Sequence, residues 1–283
     1  MIRQSPDGPV LAKFDIKPGW QQWILLSADR HWDHPKSDHA MQKRHLDEAL
    51  QRNALIIDIG DLFCAMQGRN DKRGSKKDIR PEHQTDRYLS SLIETATEFF
   101  APYAKNWLLI GTGNHESSVL QKHEVDLTGD LVRNLNQATN SSICRGDFAG
   151  WVVFQFLNGK HGPPSKKLFY HHGYGGGGPV TRGTIQTNRR AVYLPDADII
   201  VTGHIHERWV MEVTRERINQ QGRTYMDEQM HVNLPTYKDE YSGHKNGWHH
   251  ERGGPPKPIG AVWMLLSYTN RQKGIMVDFS RAT

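Results

Sequence analysis

The chain has 283 residues, of which 36% are hydrophobic and 24% charged, and its length allows a sizeable buried core. No apolar run approaches the roughly 18 residues that span a bilayer, and two cysteines are too few for a disulfide framework. These features exclude an integral membrane protein and a disulfide-rich secreted one, so we expect a cytoplasmic protein with no membrane partner. The net charge of +5 favours an anionic partner.

Predicted strands and helices alternate in the first half of the chain. Short apolar runs at 23–27, 54–59 and 107–110 are typical of buried strands. Amphipathic segments at about 38–52 and 85–100 predict helices between them. This alternation predicts a parallel sheet that is buried on both faces.

Strands dominate the second half of the chain. The segments 150–157 and 167–170 predict an antiparallel pair, and a helix over 181–193 precedes another strand at 198–202. Four further antiparallel strands are predicted at 208–213, 229–234, 260–268 and 274–279. We therefore predict one domain over 1–283, in which a second sheet faces the first, with loops at 68–84 and 242–258.

Five predicted strands are each followed by side chains of the kinds that bind metal ions. In chain order these are Asp29 and His31, Asp61, Asn114 with His115 and Glu116, His171 with His172, and His204 with His206. Ligands of open α/β sheets bind outside the carboxyl ends of the strands. The sequence therefore predicts a metal site at one edge of the sheet.

The spacing within these motifs indicates which side chains act together. Residues i and i+2 of an extended backbone point the same way, so Asp29 and His31 are expected to face one ion. His204 and His206 are expected to do the same. Adjacent residues diverge, so only one residue of the pair at 171–172 is expected to reach the metals.

The candidate ligands are too many for a single tetrahedral ion. They supply three oxygen and four imidazole donors, from Asp29, His31, Asp61, Asn114, His172, His204 and His206. This number suits two ions if one carboxylate bridges them. Mixed nitrogen and oxygen donors favour Mn, with Fe, Zn, Co or Ni as alternatives.

The order D-x-H, G-D, G-N-H-E, H-G and G-H-x-H resembles the calcineurin-like metallophosphoesterase superfamily over roughly residues 27–206. The resemblance implies an α/β fold of two facing mixed β-sheets flanked by helices, an α/β/β/α sandwich. It also implies a binuclear metal site at the carboxyl ends of the strands, where a metal-activated hydroxide hydrolyses a phosphate ester.

The same resemblance implies a role for each motif residue. One ion would be held by Asp29, His31 and His206, and the other by Asn114, His172 and His204. Asp61 would bridge the two ions, and His115 would be the catalytic residue that contacts the phosphate and protonates the departing oxygen. His172 is preferred to His171 because the family pattern places glycine after the ligand.

The substrate is less sharply indicated than the metal site. Residues 68–80 hold six Lys and Arg against two Asp, a stretch that either grips phosphates or is a solvated loop. We favour phosphodiesters of nucleotides or nucleic acid, and the start of the second motif, Gly60–Phe63, resembles that of a repair-nuclease branch. The alternatives are a phosphomonoesterase acting on small molecules or phosphoproteins, and a non-catalytic scaffold of the same fold.

Two further residues beside the motifs have alternative interpretations. Glu116 either orients His115 or caps the helix that follows it. Cys64 is expected to be packed in the core, although a thiolate at this position is an alternative ligand for a soft metal.

Overall fold

The computed structural model describes residues 2–4, 8–66, 74, 78–159, 162–176, 178, 180–241, 251, 253–269 and 274–282. Its strands, in chain order, are β1 (Ile2–Gln4), β2 (Val10–Asp15), β3 (Trp20–Ser27), β4 (Leu55–Asp58), β5 (Trp107–Ile110), β6 (Cys144–Arg145), β7 (Ala149–Leu157), β8 (Lys166–His171), β9 (Ile199–Thr202), β10 (Trp209–Ile218), β11 (Thr224–Asn233), β12 (Ala261–Tyr268) and β13 (Met276–Ala282). Its α-helices are α1 (His39–Gln51), α2 (Tyr88–Phe100), α3 (Asn114–His123), α4 (Leu127–Thr139) and α5 (Thr184–Tyr193). Short 3₁₀ helices span Pro81–His83 and Ala101–Asn106.

The strands form two mixed sheets. The six-stranded sheet has the order β13-β12-β3-β4-β5-β6, and the seven-stranded sheet has the order β1-β2-β7-β8-β9-β11-β10. Strands β3 to β6 are parallel, as the alternation of strands and helices predicts. The predicted pairing of the segments 150–157 and 167–170 is confirmed by the antiparallel pair β7 and β8.

A buried apolar layer lies between the two sheets. It contains Ile24 and Ile57 from the six-stranded sheet and Phe154 and Val201 from the seven-stranded sheet. On the other face of the six-stranded sheet, residues such as Leu25 pack with the buried faces of helices α1 to α4. Strands β3 and β4 are therefore buried on both faces, which explains their continuous apolar sequences.

Helix α5 lies on the outer side of the seven-stranded sheet. Val232 faces the layer between the sheets, so its neighbour His231 points outward, where Arg190 of α5 acts on it electrostatically. Helices therefore flank both outer faces, and the predicted α/β/β/α sandwich is confirmed.

One part of the sequence prediction is wrong. The segments 260–268 and 274–279 were assigned to the second sheet, but β12 and β13 extend the first. Strand β12 pairs antiparallel with β3, so that Met264 lies opposite Ile24. This pairing places Trp263 edge-on against Trp23 at a ring-centroid distance of 6.1 Å. It also covers the edge of β3, which would otherwise expose unpaired backbone groups.

Of the described helices, none has both the length and the apolar character required to cross a membrane. Two predicted loops lie partly outside the described residues. These are residues 68–73 and 75–77 of the first loop, and residues 242–250 and 252 of the second. The assignment of the whole chain to one domain stays a prediction.

Candidate metal centre

Six of the seven predicted ligands fall into two groups of three. In each group, one ligand atom from every residue lies within 4.8 Å of the other two. The first group is Asp29, His31 and His206, and the second is Asp61, His172 and His204. The first group has the same residues as the set that the family resemblance implies. The second contains Asp61, which is expected to bridge, in the place of Asn114.

Asn114, the seventh predicted ligand, joins the second group through His172. Its Oδ1 lies 3.1 Å from His172 Nε2, which also lies 3.2 Å from Asp61 Oδ2. The other ring nitrogen, Nδ1, donates to the backbone carbonyl of Ile59 at 3.2 Å. This hydrogen bond turns Nε2 toward Asp61 and Asn114, as is usual for a histidine that binds a metal.

The predicted ligands converge for a different reason from the one that their spacing indicates. All follow the ends of strands, although Asn114 already begins α3. Five have a positive φ: Asp29 (51°), His31 (45°), Asp61 (52°), His204 (69°) and His206 (55°). The prediction from extended i and i+2 geometry is therefore wrong in its reasoning. It pairs Asp29 with His31 correctly, but it is wrong for His204 and His206, which lie in different groups. Left-handed backbone is uncommon outside glycine and persists where surrounding contacts hold it.

Backbone hydrogen bonds join the turns after β3 and β4. The N–H of Asp29 donates to the carbonyl of Gly60 at 2.9 Å, and that of His31 donates to the carbonyl of Asp61 at 3.0 Å. Gly60 has a φ of +112°, and a Cβ at this position would lie 2.4 Å from the backbone nitrogen of Gly113. Only glycine permits this approach, which brings Asp61 next to the start of α3.

His31 shows that the donor set fits metal ions. Its side chain is buried, and neither ring nitrogen has a hydrogen-bond partner in the part of the chain that the structure describes. A buried polar atom without a partner costs about 1–3 kcal/mol, a cost that coordination to an ion would offset. Burial, and then the positive charge of His115, lower the pKa of His31 well below its usual value. The imidazole is therefore neutral, which is the form that binds metals.

Asp61 is the electrostatic centre of the site. Burial opposes its ionisation, but the neighbouring His115 and His172 hold its pKa below the usual range. Burial also lowers the pKa of His172, but the Asp61 carboxylate outweighs it and raises that pKa to about 9. The charge of Asp61 acts on His31 of the other group as well. A bridging role would place this carboxylate between the two groups.

His115 lies beside the two groups and is a member of neither. Its Nδ1 donates to the Cys64 carbonyl at 2.5 Å, and its Nε2 lies 3.6 Å from Asp61 Oδ2. Burial lowers the pKa of His115, but the Asp61 carboxylate more than offsets this and the pKa is raised well above the usual value. A protonated Nε2 at this position suits general acid catalysis.

Glu116 fixes the loop that carries Asp61. Its buried carboxylate accepts the backbone N–H groups of Asp61 at 3.1 Å, Phe63 at 2.8 Å and Gly113 at 2.8 Å. The bond to Gly113 caps α3, which favours the capping interpretation of Glu116. Burial and the charge of Asp61 raise the pKa of Glu116 to about 7, against the three donors that favour the carboxylate.

Asp33 has a similar supporting role, which sequence reasoning missed. Its carboxylate accepts the N–H groups of Cys64 at 2.6 Å and Ala65 at 2.8 Å, and the hydroxyl of Tyr88 at 3.0 Å. Its position two residues after His31 is the one sequence signal that could have indicated it. Asp33 and Glu116 together hold both ends of the segment that follows Asp61.

Lys238 is a second residue that sequence reasoning missed. Its ammonium lies 2.9 Å from Glu240 Oε1, and its charge contributes to the lowered pKa of His31. The preceding residues attach this segment to the site, since Thr236 Oγ1 donates to the carbonyl of Asp29 at 2.8 Å and the N–H of Tyr237 donates to it at 3.1 Å. Lys238 belongs to no motif. Its segment contacts the site through Asp29, which lies 207 residues before Thr236 in the sequence.

His171 does not join the site. Its Nδ1 accepts the N–H of Gly173 at 2.9 Å, and its ring packs edge-on against Phe148 at 5.2 Å. Arg80 also has local partners: it lies 3.3 Å from the ring of His39 and 3.4 Å from Glu82 Oε1. The other basic residues of the 68–80 stretch lie outside the described residues.

The solved structures that are similar to this chain are distant from it in sequence. No protein-family model and no curated protein sequence matches the chain. Among solved structures, vacuolar protein sorting 29 from Cryptosporidium parvum is 17% identical, with 94% of this chain and 98% of that chain covered and a TM-score of 0.39. A Streptococcus pneumoniae protein described as a predicted phosphoesterase is 10% identical, with coverages of 93% and 91% and a TM-score of 0.34.

A third similar structure was solved with a metal. It is the zinc complex of vacuolar protein sorting 29 from Entamoeba histolytica, at 10% identity, coverages of 93% and 100%, and a TM-score of 0.38. Similarities at this level do not establish a shared activity. The functional assignment rests on the residues of the site.

Proposed function

We propose that the chain is a calcineurin-like metallophosphoesterase, an enzyme that hydrolyses a phosphate ester with two divalent metal ions. One observation carries the proposal. Each group brings three ligand atoms within 4.8 Å of one another, the buried ring nitrogens of His31 in the first group have no partner among the described residues, and His115 stands beside Asp61 without joining either group. A scaffold that had lost catalysis would be expected to lack some of these groups.

The residues divide into metal ligands and an acid. Asp29, His31 and His206 would hold one ion, and Asn114, His172 and His204 the other, with Asp61 between them. When bound, a pair of divalent cations supplies a water of lowered pKa and stabilises the charge on the phosphoryl oxygens. Manganese is the proposed native metal, with Fe, Zn, Co or Ni as alternatives.

His115 would donate the proton that the departing oxygen needs. The hydrogen bond from Nδ1 to the Cys64 carbonyl orients the ring and leaves Nε2 as the proton donor. The Asp61 carboxylate, 3.6 Å from Nε2, favours the protonated form. Asn114 contributes a neutral oxygen, which limits the negative charge that an anionic substrate meets.

We propose phosphodiesters of nucleotides or nucleic acid as the substrate class. The net charge of +5 and the half-buried cation Lys238, whose charge acts on His31 of the first group, support an anionic substrate. The five basic residues Arg69, Lys72, Arg73, Lys76 and Lys77 follow Asp61 closely in the chain and would contact further phosphates. The cytoplasmic location stays a prediction.

Hydrolysis of chromogenic substrates tests the proposal. The purified protein, supplied with Mn²⁺, should hydrolyse a p-nitrophenyl diester faster than the corresponding monoester, and chelation should abolish both activities. Faster turnover of the monoester would favour the phosphomonoesterase alternative over a phosphodiesterase. Failure to hydrolyse either ester with Mn, Fe, Zn, Co or Ni would favour the scaffold.

Salt dependence tests the nucleic-acid preference separately. If the five basic residues make at least four phosphate contacts, the logarithm of affinity should fall with the logarithm of salt with a slope of about −3 on single strands. Replacing all five with Ser should raise the oligonucleotide KM and flatten this slope, while a small diester is hydrolysed as before. Arg80 is kept in this variant because Glu82 already pairs with it. Equal effects on both substrates would exclude nucleic acid as the preferred substrate.

A further inference from the structure

A third cluster of metal-binding side chains lies beside the two predicted groups. It consists of His31, Cys64 and His115, and one ligand atom from each lies within 4.8 Å of the other two. The rings of His31 and His115 meet edge to face at a centroid distance of 5.1 Å. Cys64 is a buried free thiol. This cluster differs from the others because it contains sulfur and no carboxylate.

A second observation indicates a ligand at this place. His31 is buried, and neither of its ring nitrogens has a hydrogen-bond partner among the described residues. A neutral imidazole offers one lone pair. The ring of His31 can therefore bind either an ion held with Asp29 and His206 or an ion held with Cys64 and His115.

The surrounding structure holds Cys64 in place and leaves it accessible to an ion. Asp33 accepts its backbone N–H at 2.6 Å, and its carbonyl accepts a hydrogen bond from His115. A small cleft, lined in part by Cys64, His115 and Lys122, opens beside this segment. This cleft provides an entry path, which a metal site requires.

The donors select the kind of ion. One thiolate and two imidazoles with an open fourth position match three-ligand zinc sites, in which the metal lies about 2.0–2.3 Å from each ligand. Tetrahedral coordination at these bond lengths separates the ligand atoms by about 3.5 Å, so distances of up to 4.8 Å need to shorten by about 1.3 Å at most. Thiolate ligands favour zinc and softer ions over manganese.

We propose that His31, Cys64 and His115 form an alternative binding site for a thiophilic divalent cation such as Zn²⁺ or Cd²⁺, which competes with the first group for His31. Binding converts the thiol into a metal thiolate and displaces the proton of His115 Nε2, so that two protons are released to solvent. The site takes His31 and His115 away from the arrangement required for hydrolysis. An ion bound there therefore inhibits the enzyme, a consequence that rests on the proposed function, whereas the binding itself does not.

Cadmium titration of the manganese-loaded protein tests this site. A sulfur-to-cadmium charge-transfer band should grow until one equivalent is bound, and it should be absent from Cys64→Ser. Cys144→Ser is the matched control, because Cys144 is the other buried free cysteine and lies in β6, away from the cluster. Cys64→Ala is a second variant, which removes the sulfur without burying a hydroxyl.

Inhibition by cadmium is measured on the same samples. Wild type and Cys144→Ser should lose activity as the band grows, and Cys64→Ser should need at least about tenfold more Cd²⁺, since even loss of an outer-shell partner costs 10–100-fold in affinity. A band that persists in both Cys64 variants, or that never forms in wild type, would overturn the proposed site. If the protein hydrolyses no ester, the proposed function fails, and the band still decides whether the site exists.

Discussion

His115 is joined to Asp61 at two points. Its backbone N–H donates to Asp61 Oδ1 at 2.9 Å, and its ring Nε2 lies 3.6 Å from Oδ2 of the same carboxylate. The residue proposed to bridge the metals therefore also positions the proposed acid and favours its protonated form. Metal binding and proton transfer can be separated by mutation, because only the second contact involves the side chain.

His115→Ala should retain both metals and lose turnover. The variant keeps the backbone bond to Asp61, while kcat should fall by about 10²–10⁴, the usual contribution of general acid–base catalysis. The loss should be larger for an alkyl ester than for a p-nitrophenyl ester, whose leaving group needs little protonation. His123→Ala, at the other end of α3, is the control. An equal loss on both esters would remove His115 from the acid role.

Glu116→Gln should weaken metal binding without removing any predicted ligand. The carboxylate accepts three backbone N–H groups, including that of Asp61, and the neutral amide holds them less strongly. We expect metal affinity to fall by about 10–100-fold, as for other residues that support ligands. Competition with a chelator of known affinity measures this change, and the exposed Glu98→Gln on α2 provides the reference. Unchanged affinity would show that Glu116 only caps the helix.

Loss of the buried ion pair between Arg30 and Asp58 should destabilise the protein more than loss of an exposed ion pair. Arg30 Nε lies 2.8 Å from Asp58 Oδ2, and both side chains are fully buried. Arg30→Met leaves the carboxylate without its counter-charge and should lower the free energy of unfolding by about 3–5 kcal/mol. Denaturant unfolding measures this loss, and the exposed Lys43–Asp47 pair on α1 should show little change when Lys43 is replaced by Ala. Equal losses of unfolding free energy in Arg30→Met and Lys43→Ala would contradict the larger contribution expected of the buried pair.

Burial of His231 predicts a loss of stability in acid. Burial, and then the charges of Arg190 and Arg215, lower the pKa of His231 to about 4. In the unfolded chain, His231 becomes protonated near pH 6.5. Its protonation therefore favours the unfolded state as the pH falls from 6.5 to 4, and lowers the free energy of unfolding by about 3 kcal/mol in total. Above pH 6.5, we therefore expect no loss of the free energy of unfolding from His231.

Unfolding curves at several pH values test this expectation. His231→Gln keeps a donor for Gln229, which lies 3.0 Å from the histidine ring, and removes the titration. Between pH 6.5 and 4, the free energy of unfolding should fall less in the variant than in wild type. Parallel pH profiles for the two proteins would contradict the assignment.

The sequence allowed the parallel half of the fold to be predicted because its strands are continuous apolar runs bounded by motifs. The position of β12 and β13 was not predictable from pattern, since neither the apolar run of β12 nor the alternation of β13 identifies a sheet. Only the pairing of Met264 with Ile24 and the contact of Trp263 with Trp23 place them beside β3. Such long-range contacts leave no local signal.

The candidate site shows the same division. Motif order indicated the residues that now form the two groups, yet the turns that bring them together have left-handed backbone that periodicity does not reveal. Lys238 was missed because its position depends on hydrogen bonds from Thr236 and Tyr237 to Asp29. Asp33 was missed because its partners, two backbone N–H groups and the hydroxyl of Tyr88, lie far along the chain and form no motif with it.

The central claim is that Asp61 joins two metal ions in a hydrolytic site. Metal analysis of purified wild type and Asp61→Asn, on samples whose turnover of a p-nitrophenyl diester is also measured, tests it most directly. We predict about two divalent ions per wild-type chain, as a two-metal site requires, and loss of both metal and turnover in the variant. Two bound ions and normal turnover in Asp61→Asn would contradict the account.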